Sequence, residues 1–252
     1  MASPPVPGHV VKARYTPSQT MVLGVDEQDS EHHAVLADAD DLAGLPVVVA
    51  DLHSALPAIL AGLRETAPSL RVAYVMTDGG ALPIDFSRTV AGLREAGWLE
   101  ASVTVGQAFG GDLEAVNVHT GLLAAHHVVG ADVVVVSQGP GNLGTGTRWG
   151  FSGTSAGEAV NAAGTLGGRP VCALRISEAD PRERHRGVSH HAHSVLDLCL
   201  GDVVVAGDED GEGWEDACAG LPLSHMGRGP ELEPWFFAAA FAAGTVARGL
   251  LP

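Results

Sequence analysis

The 252 residues are 46% hydrophobic and 17% charged, apolar enough to bury a sizeable core and unlike a disordered chain. A formal net charge of −16 argues against general binding to nucleic acid or to an anionic membrane, because both need a basic face. Three irregularly spaced cysteines without a CxxC pair, Cys172, Cys199 and Cys218, suggest neither a disulfide framework nor a structural zinc site.

The opening Met1-Ala-Ser-Pro-Pro-Val-Pro-Gly8 has neither the basic start nor the apolar run of a secretion signal. No uninterrupted apolar stretch is long enough for a bilayer, so a cytoplasmic protein is expected. Residues 1–9 read as a disordered lead-in and residues 10–252 as a single α/β domain. Val10 to Tyr15 is a short strand or an edge packing segment, and Thr20 to Val25 reads as the first buried strand. Leu45 to Ala50 is the second strand, with Ser54 placed to cap a helix whose apolar face is Leu56, Ile59, Leu60 and Leu63. Leu70 to Met76 follows, then a helix capped by Asp85 with Phe86, Val90 and Leu93 turned inward. Leu99 to Val105 precedes a helix over about 113–129, with Val116, Leu122 and Leu123 on its buried side.

Ala131 to Ser137 is rich in β-branched residues and too short for a helix, the pattern of a parallel strand buried on both faces. After it comes a glycine-rich loop to Gly153, and Ser155-Ala-Gly-Glu158 reads as a capping box. Pro170 to Ile176 and Asp202 to Ala206 are the last strands, followed by an acidic connection over 207–216. Pro234 to Ala247 is a closing helix, apolar nearly all round. Its Trp235 to Phe241 aromatics point to burial on both sides and to a homo-oligomer contact. Strands alternating with helices predict a three-layer α/β/α fold with a mostly parallel, doubly wound, Rossmann-like sheet.

In such sheets ligands bind beyond the carboxyl ends of the strands, where four glycine-rich loops fall here. Glycine at these turns frees the backbone to approach a ligand, and a helix N-terminus behind it favours anions. The expected ligand contacts are Gly79, Gly80, Gly110, Gly111, Gly139, Gly141, Asn142, Gly144, Thr145, Thr147 and Arg148. From the next loop come Ser177, Asp180, Arg182, Arg186, Ser189 and His191. Six of the fourteen basic residues lie between 131 and 191, which reads as a local anion site anchored by Arg148 and Arg186. Asp78 or Asp112, with His185 or His190, are the acid–base candidates. A divalent metal is a further candidate, on Asp51, His53, Asp78 and Asp112. A histidine-rich set near position 190 would suit zinc, although consecutive His190 and His191 are expected on different sides of a helix. There is no P-loop sequence, and Gly139-Pro-Gly-Asn-Leu-Gly144 is not a standard NAD fingerprint.

The strings Met76-Thr-Asp-Gly-Gly-Ala-Leu-Pro83, Gly106 to Asn117, Gly139 to Gly153, Arg175-Ile-Ser-Glu-Ala-Asp-Pro-Arg182 and His185 to His191 carry a resemblance. Together they resemble the uncharacterised bacterial family of unknown function numbered 3866, over about Arg14 to Leu200. The resemblance implies a cytoplasmic bacterial protein and a small N-terminal module that this chain lacks. It brings no activity, ligand or catalytic residue. Three readings stand side by side. One is an enzyme, of hydrolase or transferase type, acting on a small anionic metabolite that carries a phosphate or carboxylate. The second is a non-catalytic sensor or scaffold using the same pocket, and the third an oligomeric structural protein whose glycines only make turns.

Overall fold

A computed structural model describes residues 8–207 and 211–252. Residues 1–7 of the expected lead-in and 208–210 of the acidic connection lie outside the described residues. Seven strands form the central sheet: β3 (Pro46–Val49), β4 (Val72–Thr77), β5 (Ala101–Thr104), β6 (Leu113–Glu114), β7 (Val133–Gln138), β8 (Arg169–Ala173) and β11 (Val204–Ala206). Their order is β11-β8-β3-β7-β4-β5-β6, and every ladder between them is parallel. The β-branched runs of β3, β4 and β7 are buried end to end because both faces of the sheet are covered.

One face carries α2 (Leu56–Arg64), α3 (Arg88–Glu95) and α8 (Pro234–Gly249), packed on Val48, Tyr74, Met76, Val133 and Val135. The other carries α1 (His33–Leu36), α4 (Val118–His127), α5 (Ser155–Thr165) and α6 (His190–Leu198), on Val47, Val49, Val75, Val134 and Val136. A short α7 (Trp214–Ala217) sits beside α8. This is the three-layer, doubly wound arrangement. Neighbouring β3 and β7 send their helices, α2 and α5, to opposite faces, so a crevice opens between their carboxyl ends.

Thr20 to Val25 is not a sheet strand. Its β2 (Thr20–Val22) pairs only with β1 (Val10–Lys12), antiparallel, as a half-exposed hairpin beside the β6 edge. Lys12, the only lysine in the sequence, pins this hairpin. Its buried Nζ donates to the carbonyls of Ala115 at 2.9 Å and Thr104 at 3.3 Å and lies 3.2 Å from Glu114 Oε2. Three expected caps also differ. Ser87, not Asp85, caps α3 by accepting from Val90 N; Ser54 reaches His225 instead; and α5 starts at Ser155 without a side-chain cap. Asn117 caps α4, so Leu113 and Glu114 are free to form β6, and Val116 is exposed, as is Phe86.

α8 is buried on both sides within one chain. Phe236, Phe237 and Phe241 are fully enclosed, and only Trp235 of the four aromatics is open to solvent, at 59%. The aromatic patch that suggested an oligomer is therefore filled by α2 and the sheet. The two helices cross at paired glycines. A Cβ at Gly62 would stand 2.1 Å from the Phe241 carbonyl oxygen, and one at Gly244 would stand 2.1 Å from that of Ile59. No helix among the described residues is long and apolar enough to cross a membrane.

Candidate functional site

β3 ends in Ala50-Asp51-Leu52-His53, and the backbone sends the two polar side chains to different places. His53 joins the α2 side, where its Nδ1 lies 2.9 Å from the Tyr74 hydroxyl and its Nε2 2.7 Å from Ser87 Oγ. Tyr74 continues to Ser137 Oγ at 3.0 Å. Ser87 accepts from Val90 N and so gives its proton to His53, which passes its own to Tyr74. Every group in this chain is paired, and a satisfied neutral histidine is its outcome. Burial holds His53 at a pKa of about 4.

Asp51 turns to the crevice. It is buried and its Oδ2 has no hydrogen-bond partner. His191 Nδ1 stands 3.8 Å from that oxygen and 3.2 Å from Arg175 NH1. Arg175, at the end of β8, is itself buried, with NH2 3.5 Å from Asp180 Oδ2. The small antiparallel pair β9 (Ile176–Ser177) and β10 (Gly187–Val188) returns the chain, so that Ser189 caps α6 and brings three histidine rings together. Ring centres of His185, His190 and His191 are 4.4–4.8 Å apart, and Phe151 stacks on His191 at 3.7 Å. From the other side, the segment before α8 adds His225, Arg228 and Glu233. His225 lies on Phe236 with Nδ1 3.2 Å from Ser54 Oγ; Glu233 Oε1 receives Arg228 Nε at 2.6 Å and Ser177 Oγ at 3.0 Å.

Ten buried side-chain polar atoms among the described residues lack a hydrogen-bond partner, and seven of them belong to this cluster. They are Asp51 Oδ2, Arg175 Nε and Nη2, His190 Nε2, His225 Nε2, Arg228 Nη2 and Glu233 Oε2. Of these, Arg228 Nη2 is ion-paired with Glu233 Oε1 at 2.5 Å and Arg175 Nη2 stands 3.5 Å from Asp180. Each atom without any partner costs about 1–3 kcal/mol, so the five that lack even an ion-pair contact mark a place where a ligand repays the cost. Burial, with Arg175 beside them, holds His191 and His225 at about 3 and His185 at about 4. Burial pushes the Asp51 carboxyl up against the pull of Arg175, whereas hydrogen bonds from Arg182 hold Asp180 well below the usual carboxylate range.

The other expected site residues divide. Ser177, Asp180, Arg182, Ser189, His185, His190 and His191 are in or against the cluster. The 139–153 loop reaches it through Phe151, and Ser194 Oγ donates to the Arg148 carbonyl. Arg148 itself is exposed, paired with Asp197 and laid on Trp149; Arg186 is exposed, with Nε on the Asp180 carbonyl. Thr145 and Thr147 bond each other, and Asn142 meets Ser152. Asp112 stands at the β5–β6 edge, held by Ser102 and Arg94, four strand spacings or roughly 19 Å from β8. Asp78 receives Gln107 N at 2.8 Å beyond β4. The four loops therefore do not meet in one concavity, and Asp51, His53, Asp78 and Asp112 do not share a metal. Gly79, Gly80 and Gly139 let two loops touch backbone to backbone, since a Cβ at Gly80 would stand 2.2 Å from the Gly139 carbonyl oxygen. Gly110 N donates to Glu114, Gly111 packs on Thr104, Gly144 lies against Phe151 and Gly150, and Gly141 has open surroundings.

The family described as "Protein of unknown function (DUF3866)" matches residues 2–219. The chain belongs to this family. No curated protein and no solved structure matches it. In this DUF3866 chain the match includes Asp51, Arg175 and the three clustered histidines, while His225, Arg228 and Glu233 follow its end. Sequence reasoning passed over these last three because the segment before α8 has no periodic pattern. Arg175 stands in the sequence reading only among the six basic residues and at the head of one resemblance string, not as a ligand contact, though a charged residue just after a buried strand was the available signal.

An acid-sensitive stability follows from His53 and His225. The unfolded chain protonates them near the ordinary 6.5, whereas the fold keeps them neutral to about 4 and 3. Their contribution is complete above pH 6.5 and is lost as pH falls toward 4 and below. The urea midpoint should drop steadily between pH 6.5 and 4. A flat profile there would mean that both rings are open to protons in the folded protein.

Proposed function

We propose that the protein is an enzyme acting on a small anionic metabolite, bound at the carboxyl ends of β3 and β8. The observation that carries this reading is the buried Arg175 guanidinium, whose Nε has no partner and whose Nη2 reaches only Asp180 at 3.5 Å, with the Arg228–Glu233 ion pair beside it. Guanidinium does not lose its charge, so buried N–H groups of this kind call for an acceptor, and phosphate or carboxylate oxygens fit their fork. Beside them, burial biases Asp51 toward its acid form and His191 toward its neutral form, 3.8 Å apart. Two groups driven in opposite directions are what general acid–base work needs. The acid can give a proton to the bound anion while the imidazole takes one from it or from water.

Thermal shift against phosphate, sulfate, small dicarboxylates and phosphorylated metabolites tests the reading. At least one anion should stabilise the wild type, and Arg228→Gln should weaken its binding by about tenfold to a thousandfold, roughly 1.4–4 kcal/mol. Arg148→Ala should leave it unchanged. Stabilisation lost in Arg148→Ala and kept in Arg228→Gln would move the anion to the outer loop. No stabilisation by any anion would sink the proposal.

A further inference from the structure

We infer that His185, His190 and His191 hold a divalent transition metal of the zinc class, with a fourth position left for water or the anion. This rests on the same crevice as the proposed function and shares Asp51 and His191 with its acid–base pair. A metal bound here would take His191 out of the base's role, while the anion contact stays with Arg175 and Arg228. One ring nitrogen from each histidine can be chosen so that all three lie within 4.8 Å of one another. A tetrahedral zinc at about 2.0–2.1 Å from its nitrogens spaces them at roughly 3.3 Å, so modest ring rotations close the set.

Three features of the local fold favour this use. First, consecutive residues on a helix normally diverge, yet Phe151 stacks on His191 and turns its ring to within 4.4 Å of His190. Second, His190 Nε2 is buried with no partner, a nitrogen prepared for a ligand that the protein itself does not supply. Third, the remaining nitrogens have the orienting neighbours that metal-bound histidines use. His185 Nδ1 is 2.7 Å from Ser189 Oγ, which leaves its Nε2 as the ligand atom. His191 Nδ1 faces the orphaned Asp51 Oδ2 at 3.8 Å. With the proton on Nδ1, His191 turns from Arg175 to donate to Asp51, and its Nε2 becomes the ligand atom. The arrangement is then carboxylate, histidine, metal; it satisfies the Asp51 oxygen and gives up the Arg175–His191 hydrogen bond.

The ligand chemistry decides the metal class. Three imidazoles without a ligating carboxylate suit zinc, cobalt or nickel, and are poor for magnesium or calcium. The nearby Arg175 charge is countered by the buried, ionised Asp180, 3.5 Å from its Nη2. Arg182 is committed to Asp180 by a two-pronged contact at 2.7 and 2.8 Å.

The test is metal titration of the purified full chain after chelation, using zinc with elemental analysis and cobalt with absorption spectroscopy. One equivalent per chain should bind, and cobalt should give the intense visible bands of a tetrahedral site. His190→Ala and His185→Asn should abolish those bands, and Asp51→Asn should weaken affinity by about 10- to 100-fold. His126→Asn, a histidine on α4 outside the cluster, should bind like wild type. Circular dichroism separates loss of a ligand from loss of the fold. If His185→Asn unfolds, His190→Ala decides alone, since its side chain is partly exposed. Sub-stoichiometric metal, an octahedral cobalt spectrum, or equal binding by His190→Ala overturns the inference. Arg228→Gln separates the two proposals: it should lose anion stabilisation and keep the metal. If metal fails while anions still bind, only the metal site falls.

Discussion

Gly244→Ala should destabilise the protein by about 3 kcal/mol, equivalent to a fall of roughly 6–12 °C in Tm for a chain of this size. The new methyl would stand 2.1 Å from the Ile59 carbonyl oxygen and 2.9 Å from Leu63 N. Both are backbone atoms of α2, which no rotamer change can move aside. α8 must therefore retreat by about an ångström or more, opening the packing of Phe236, Phe237 and Phe241. Gly62→Ala meets the Phe241 carbonyl oxygen in the same way, and the double variant should cost less than the two single costs added, because one retreat relieves both clashes. Gly92→Ala is the control. It lies inside α3 with nothing within 4 Å of its would-be Cβ, so it should gain roughly 0.5–1 kcal/mol from helix propensity. A Gly244→Ala midpoint equal to wild type would show that α2 and α8 do not cross this closely. The same crossing bears on function, because α8 begins beside Glu233 and positions it against Arg228 and Ser177.

The sheet was legible because its strands leave little choice. Val47 to Val49 and Val133 to Val136 are β-branched, continuous and too short for helices, and only a sheet covered on both faces buries them. Thr20 to Val25 has similar composition and fails, because composition does not say whether a partner strand is available. The sheet edge is taken by Leu113 and Glu114, and β2 is left with β1. Caps failed for a local reason. Ser54, Asp85 and Ser155 each have a suitable side chain near a helix start, but a short 3-10 turn precedes each helix and shifts its first residue.

The site was legible in half. Placement after β8 selected Asp180, Arg182 and His185 to His191 correctly as neighbours of one another, since consecutive residues returning by a tight hairpin cannot travel far. Glycine-rich composition misdirected the rest. At Gly79, Gly80 and Gly139 the absent Cβ makes room for another loop's backbone, and sequence alone cannot tell that neighbour from a ligand. Arg228 and Glu233 depend on α8 returning beside β8, a tertiary fact with no local sign.

Lys12→Met should cost about 3 kcal/mol, at the lower end of the loss seen when one partner leaves a buried ion pair. The methionine keeps the apolar stem and removes the ammonium that serves two carbonyls and Glu114. Glu114 retains the Thr104 hydroxyl at 2.8 Å and Gly110 N at 2.6 Å, which softens the loss. Adding Glu114→Gln should then recover part of it, because the carboxylate no longer lies buried without its countercharge. The lysine also reports on its own release. Its side chain is fully buried, and the sequence has no other lysine, so an amine-reactive reagent should leave position 12 unmodified in the folded protein. Glu114→Gln weakens the pin, and labelling at position 12 should accelerate while the urea midpoint moves less than in Lys12→Met. That difference would mark opening of the β1–β2 hairpin alone, ahead of the sheet. Rapid labelling of the wild type would place Lys12 in solvent and remove the pin.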